Sequence, residues 1–154
     1  MKWFAFVLSL CFCLTVSAAE QAYDEQADAH KEIQQALAEA AKAKVPVILV
    51  FGANWCPDCR VLDMAMKNGA AAPLMARDFR VVKINVGRFD RNTDIAQSYG
   101  VPLKKGIPAV AILSAGNEVL YATRSGELAD ARAMGDAGIH DFLKRAAASA
   151  RGGS

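Results

Sequence analysis

Cys56 and Cys59 are the residues of this 154-residue chain whose type and spacing could do chemistry. They stand in Trp55-Cys56-Pro57-Asp58-Cys59, soon after the apolar stretch Val45-Pro46-Val47-Ile48-Leu49-Val50. An apolar run rich in β-branched residues reads as a buried strand, and the residues after Cys56 read as a helix, which puts Cys56 at a strand-to-helix junction. The first N–H groups of a helix lack internal partners and carry partial positive charge, so a thiolate there is stabilised and its pKa falls below about 8.5. Cys59 follows about one turn later. The two sulfurs can then close a disulfide in the helix's first turn, with Cys56 as the exposed, attacking thiol and Cys59 as the more buried, resolving one. Such a pair is a two-electron switch. Pro57 suits the first helical turn, where a missing N–H costs nothing. Asp58 suits a helix start as well, but its charge opposes a second anion at Cys56. With an acid rather than a cation between the cysteines, the pair is expected to lean toward reductant.

The elements that must position this junction follow from the apolar patterning. Residues 20–44 are polar and alanine-rich, with acids toward the front or middle, lysines at the end and a stripe of Ile33, Leu37, Ala40 and Ala41. They predict a helix packed on the sheet. Residues 59–68 continue the active-site helix to a stop at Asn68-Gly69, and 70–78 form a short second helix started or broken near Pro73. Residues 79–86 alternate as a strand, 87–92 form a charged loop, and 93–99 make a short helix ended by Gly100. Residues 109–113 and 118–123 pair antiparallel across a turn at 114–117. Residues 125–138 read as a loop with helical fragments, 139–150 as a last helix, and 151–154 as a flexible tail.

The cysteine motif after an apolar strand resembles the active site of the thioredoxin superfamily. Gly106-Ile107-Pro108-Ala109, ahead of the apolar run Val110-Ala111-Ile112-Leu113, resembles that superfamily's second motif. The resemblance implies an α/β thioredoxin-like fold with a central mixed β-sheet flanked by helices. It implies that Cys56 and Cys59 carry catalysis, supported by Trp55, Pro57, Asp58 and a cis Pro108, with the Ile107 backbone pairing with substrate. Lys104 and Lys105 would flank the substrate groove, and Lys83 would lie near the redox pair. The implied activity is thiol-disulfide exchange on protein or small-molecule disulfides, without a bound cofactor. The chain departs from thioredoxin at Val50, where thioredoxin has a buried acid that helps deprotonate the resolving thiol. It departs also at Asn54, often acidic in relatives, and at Met64, a proline in thioredoxin. Asp58, Lys83 or water are left as helpers.

Residues 1–19 differ from the rest: Lys2 gives a short positive region, residues 4–16 are almost wholly apolar, and Ser17-Ala18-Ala19 are small. They read as a signal peptide cleaved near Ala18 or Ala19, which sends residues 20–150, a single domain, to the periplasm or outside the cell. An uncleaved anchor is the alternative, although the stretch is short for a span of about 20 residues. Cleavage removes Cys11 and Cys13, leaving Cys56 and Cys59 alone, and with Lys2 gone the formal charge drops from +2 to +1. A nearly neutral domain gives no electrostatic case for nucleic acid or an anionic membrane. The expected protein is a monomer recharged by a membrane electron carrier. Two other classes remain. A thioredoxin-fold binding or chaperone domain would keep its role without the cysteines. A metal module, zinc or copper, would have only His30 and His140 to add to the pair.

Overall fold

The computed structural model describes residues 21–152. The expected signal peptide, with Cys11 and Cys13, lies outside the described residues, as do Gly153 and Ser154. In chain order the elements are α1 (Ala29–Ala43), β1 (Val47–Gly52), α2 (Pro57–Asn68), α3 (Ala72–Asp78), β2 (Arg80–Asn85), α4 (Thr93–Ser98), a 3-10 turn (Leu103–Lys105), β3 (Ala109–Leu113), β4 (Val119–Ala122) and α5 (Ala131–Gly152).

The β-strands form one mixed sheet in the order β2-β1-β3-β4, with β1 and β2 parallel and the other pairs antiparallel. All six residues of β1 are buried. That is why its sequence is continuously apolar: both faces of a central strand are covered. Alternation along the strand divides the core in two. Val47, Leu49 and Phe51 join Ile33, Ala36 and Ala40 of α1 and Ile95 of α4. Ile48 and Val50 face Leu62 and Met66 of α2, Met75 of α3, and Ile139 and Leu143 of α5. The sheet is thus flanked by helices on both faces, and β1 carries the chain through the middle of the core to the cysteine motif.

Three expectations need correction. The helix expected over 20–44 begins at Ala29, because Asp28 caps it by accepting the Lys31 N–H at 3.1 Å. The preceding residues form turns that bury Tyr23 completely. Instead of a loop through 138, α5 starts at Ala131, breaks at Gly135 with φ 65°, and resumes. Only glycine adopts that conformation without cost. At its far end α5 runs through Arg151 and Gly152, where a flexible tail was expected.

Candidate functional site

β1 ends at Gly52, and the chain turns through Ala53-Asn54-Trp55 into α2. Cys56 is the residue that caps α2. Its extended backbone, φ −82° and ψ 114°, brings Sγ back to accept the Cys59 N–H at 3.2 Å, and Pro57 occupies the first helical turn. A sulfur here faces the unpaired amides that favour an anion. The Cys56 and Cys59 sulfurs are disulfide-bonded, with their Cα atoms 5.3 Å apart. Cys59 is fully buried. Cys56 is 4% exposed, not the open thiol that its place at the helix tip suggested, because it packs into the core cluster with Ile107 against it.

The Ile107–Pro108 peptide is cis. It places the Ile107 carbonyl 3.7 Å from Cys56 Sγ, a contact that becomes a hydrogen bond only when the sulfur carries a proton. Gly106 before that peptide has φ 114°, a conformation that favours glycine, and packs closely on Ala129, whose Cβ would lie 2.6 Å from a Cβ added at Gly106. Beyond Gly106 opens a groove of about 1080 Å³ lined by Phe89, Val101, Leu103, Lys104, Lys105 and Arg124, among others. The two lysines therefore do border a groove next to the motif.

Trp55 is 43% exposed, and its Nε1 donates to the Gly87 carbonyl at 2.8 Å. Phe89 meets it edge-on at 6.1 Å between ring centroids, and the Arg88 guanidinium lies 5.6 Å from the indole centroid. The charged loop 87–92 is thereby part of the site's rim. Phe89 itself is 45% exposed with φ 65°. A non-glycine residue held there is strained.

Asp58 has a partner that its sequence neighbourhood does not reveal. Its carboxylate accepts the Arg132 backbone N–H at 3.0 Å and the Arg132 Nε at 3.2 Å. Burial pushes the Asp58 pKa up, but these bonds and the guanidinium charge outweigh it and hold the carboxyl below the usual range. The charge expected to oppose a Cys56 thiolate is thus neutralised by Arg132, and the segment 125–138 acquires a purpose. Lys83 is also paired: its ammonium binds Asp63 on α2, which receives Lys67 at 3.3 Å too. Lys83 lies 5.5 Å from the centroid of the Tyr23 ring.

Asn54 explains its own departure from an acid. Its Oδ1 accepts the Tyr23 N–H at 2.9 Å and its Nδ2 donates to the Tyr23 carbonyl at 2.8 Å. A carboxylate could accept but not donate. His30 and His140 lie near Asp94 and Asp141, each at 3.7 Å. No group of three or more His, Cys, Asp or Glu that could hold a metal occurs among the described residues. Tyr23, Phe89 and Arg132 were not singled out from sequence. Their one sequence signal is type, an isolated aromatic or cation beside no motif, which marks no site by itself.

A buried strand delivering a helix-capping, disulfide-bonded Cys-x-x-Cys beside a cis-proline loop defines a thioredoxin-like redox protein. The model of the family described as thioredoxin-like matches residues 28–115, and the chain belongs to that family. It is 31% identical over 94 residues to the thioredoxin of Pseudomonas aeruginosa, covering 58% of this chain and 74% of that protein. Against the thioredoxin of Pyropia yezoensis it is 33% identical over 81 residues, 53% and 68% of the two chains. The crystal structure of a disulphide isomerase from Xylella fastidiosa superposes with a TM-score of 0.80 at 48% identity, covering 83% of this chain and 98% of that one. The redox pair and these relatives make the chain a thiol-disulfide oxidoreductase.

Proposed function

We propose that this oxidoreductase works outside the cytoplasm and reduces substrate disulfides. The observation that carries the direction is the setting of Cys56, whose sulfur accepts a single backbone N–H, that of Cys59, while the Asp58 between the cysteines is neutralised by Arg132 and adds no net positive charge beside it. A thiolate stabilised to that modest degree belongs to a reducing pair. Location rests on the signal-like residues 1–19.

In a reducing cycle the Cys56 thiolate attacks a substrate S–S bond. One substrate sulfur leaves and takes up a proton, and a mixed disulfide forms. Cys59 then loses its proton and attacks Cys56 Sγ, the mixed disulfide breaks, and the second substrate sulfur leaves as a thiol. Two electrons have passed to the substrate. Ile107 and the groove beyond Gly106 receive the substrate segment, with Trp55 and Phe89 on the rim. A membrane electron carrier restores the dithiol, and the protein acts as a monomer.

The name of the Xylella fastidiosa relative favours a second reading, a disulphide isomerase, in which Cys56 attacks and is released by another thiol of the client. Equilibrating the protein with graded glutathione buffers separates the two. A potential near about −270 mV supports the reductase, and one near about −180 mV the isomerase. A value near about −120 mV overturns both in favour of an oxidant. Location is tested by fusing residues 1–19 to a reporter that is active only outside the cytoplasm, and an inactive fusion overturns it.

A further inference from the structure

Tyr23 is fully buried, and its hydroxyl has no hydrogen-bond partner among the described residues. A buried hydroxyl left unpaired costs about 1–3 kcal/mol, so an orphan inside a well-packed core calls for a reason. Its position supplies one. Gly52 leaves a space at the end of β1 that two atoms border: a Cβ on Gly52 would overlap the Tyr23 hydroxyl and would lie 3.0 Å from Cys59 Sγ. The orphan therefore stands beside the resolving sulfur. While the disulfide is closed, Cys59 Sγ is bonded to Cys56 and is a poor acceptor. Once it opens, Cys59 becomes a thiol or thiolate in the same enclosed space.

We propose that Tyr23 is the hydrogen-bond donor to Cys59 Sγ in the reduced protein, satisfied in the dithiol form and orphaned in the disulfide form. The inference rests on the redox pair and holds for either direction of turnover. When Cys59 ionises to attack the mixed disulfide, its proton ends on the departing substrate sulfur, and the Tyr23 O–H stays intact and steadies the new charge. The phenol suits a donor that does not itself ionise, since burial raises its pKa above the ordinary value. Three features hold it in place: the Asn54 clamp on its backbone, the space left by Gly52, and the Lys83 ammonium near its ring, fixed in turn by Asp63. Val50 carries no polar group, so at this end of β1 Tyr23 supplies what the strand does not.

The test is Tyr23→Phe in the full chain, which removes the hydroxyl and keeps the ring. The glutathione equilibrium is expected to shift about tenfold toward the disulfide, about 30 mV, because the variant loses a bond present only in the dithiol form. In the reduced protein the higher of the two thiol titrations, followed by ultraviolet thiolate absorbance, rises by about one unit while the lower one holds. An unchanged equilibrium and unchanged titrations overturn the proposal. Should the variant fail to fold, the unmutated protein decides: with ζ-carbon-labelled tyrosine, assigned through Tyr99→Phe and Tyr121→Phe, the Tyr23 signal must move on reduction, and a fixed signal overturns the proposal. A potential at odds with the reducing direction leaves the test standing, because it reads the difference between two forms of one protein.

Discussion

The two sulfurs of the disulfide sit three residues apart in unlike surroundings. On the Cys56 side the neighbours are loops: Ile107 before the cis-proline, the half-exposed Trp55 and Phe89, and a groove bordered by lysines. On the Cys59 side everything is closed, with Tyr23 and the end of β1 at zero or near-zero exposure. Both sulfurs are buried, but Cys56 adjoins the groove-side loops and Cys59 is shut away from them. The difference shows that a Cys-x-x-Cys pair is set by two environments, which different parts of the chain can adjust separately.

The largest effects should come from the sulfurs. Cys56→Ser is expected to abolish turnover, whereas Cys59→Ser should accumulate a stoichiometric mixed disulfide that a gel shift detects. Equal behaviour of the two variants in that assay would erase the distinction between the two sides. Next comes the closed side. Gly52→Ala forces a Cβ into the Tyr23 hydroxyl, and overpacking of this kind costs about 1–3 kcal/mol, readable as a lower urea midpoint. Asn54→Ala leaves the Tyr23 N–H and carbonyl without the side-chain amide, at a cost of about 1–2 kcal/mol by the same measurement.

The smallest effect sharpens the Cys56 side. Arg132→Ala frees the Asp58 charge, so the alkylation pH profile of Cys56 should move upward, by up to about one unit. The same variant should reveal the pH dependence of that pair. The Asp58 pKa is depressed in the folded protein, so its stabilisation is present above the unfolded carboxylate pKa of about 3.9 and lost as pH falls through the lower, folded value. The stability gap between native protein and variant should therefore be widest above pH 4 or so and close below it, which thermal melts in acid buffers will show.

What could be read from the sequence was whatever is local. The strand before the motif, the helix started by Cys56 and Pro57, and the hairpin of β3 and β4 follow from apolar periodicity and turn residues over short stretches. Gly106-Ile107-Pro108 could be read through resemblance. Tyr23 and Arg132 could not, because each acts across a fold that only tertiary packing creates: Tyr23 bonds to Asn54 thirty-one residues away and Arg132 to Asp58 across seventy-four. Asp58 shows the consequence most clearly. Its charge was visible and its partner was not, so the effect expected on Cys56 was assigned to a free carboxylate that the folded chain does not contain. Helix α1 erred for the related reason that the polar composition of residues 20–28 resembles helix surface, while Asp28 and the burial of Tyr23 set the boundary.

Tyr23 lies five residues ahead of the stretch that matches the shared family, which begins at residue 28. On the proposal made for Tyr23, the redox centre draws on a residue that lies ahead of the stretch matched by the family model. Exchanging the segment that carries it would retune the electron affinity of a dithiol without altering a single residue between its cysteines. A protein trimmed to the family boundary would keep the motif and lose that adjustment.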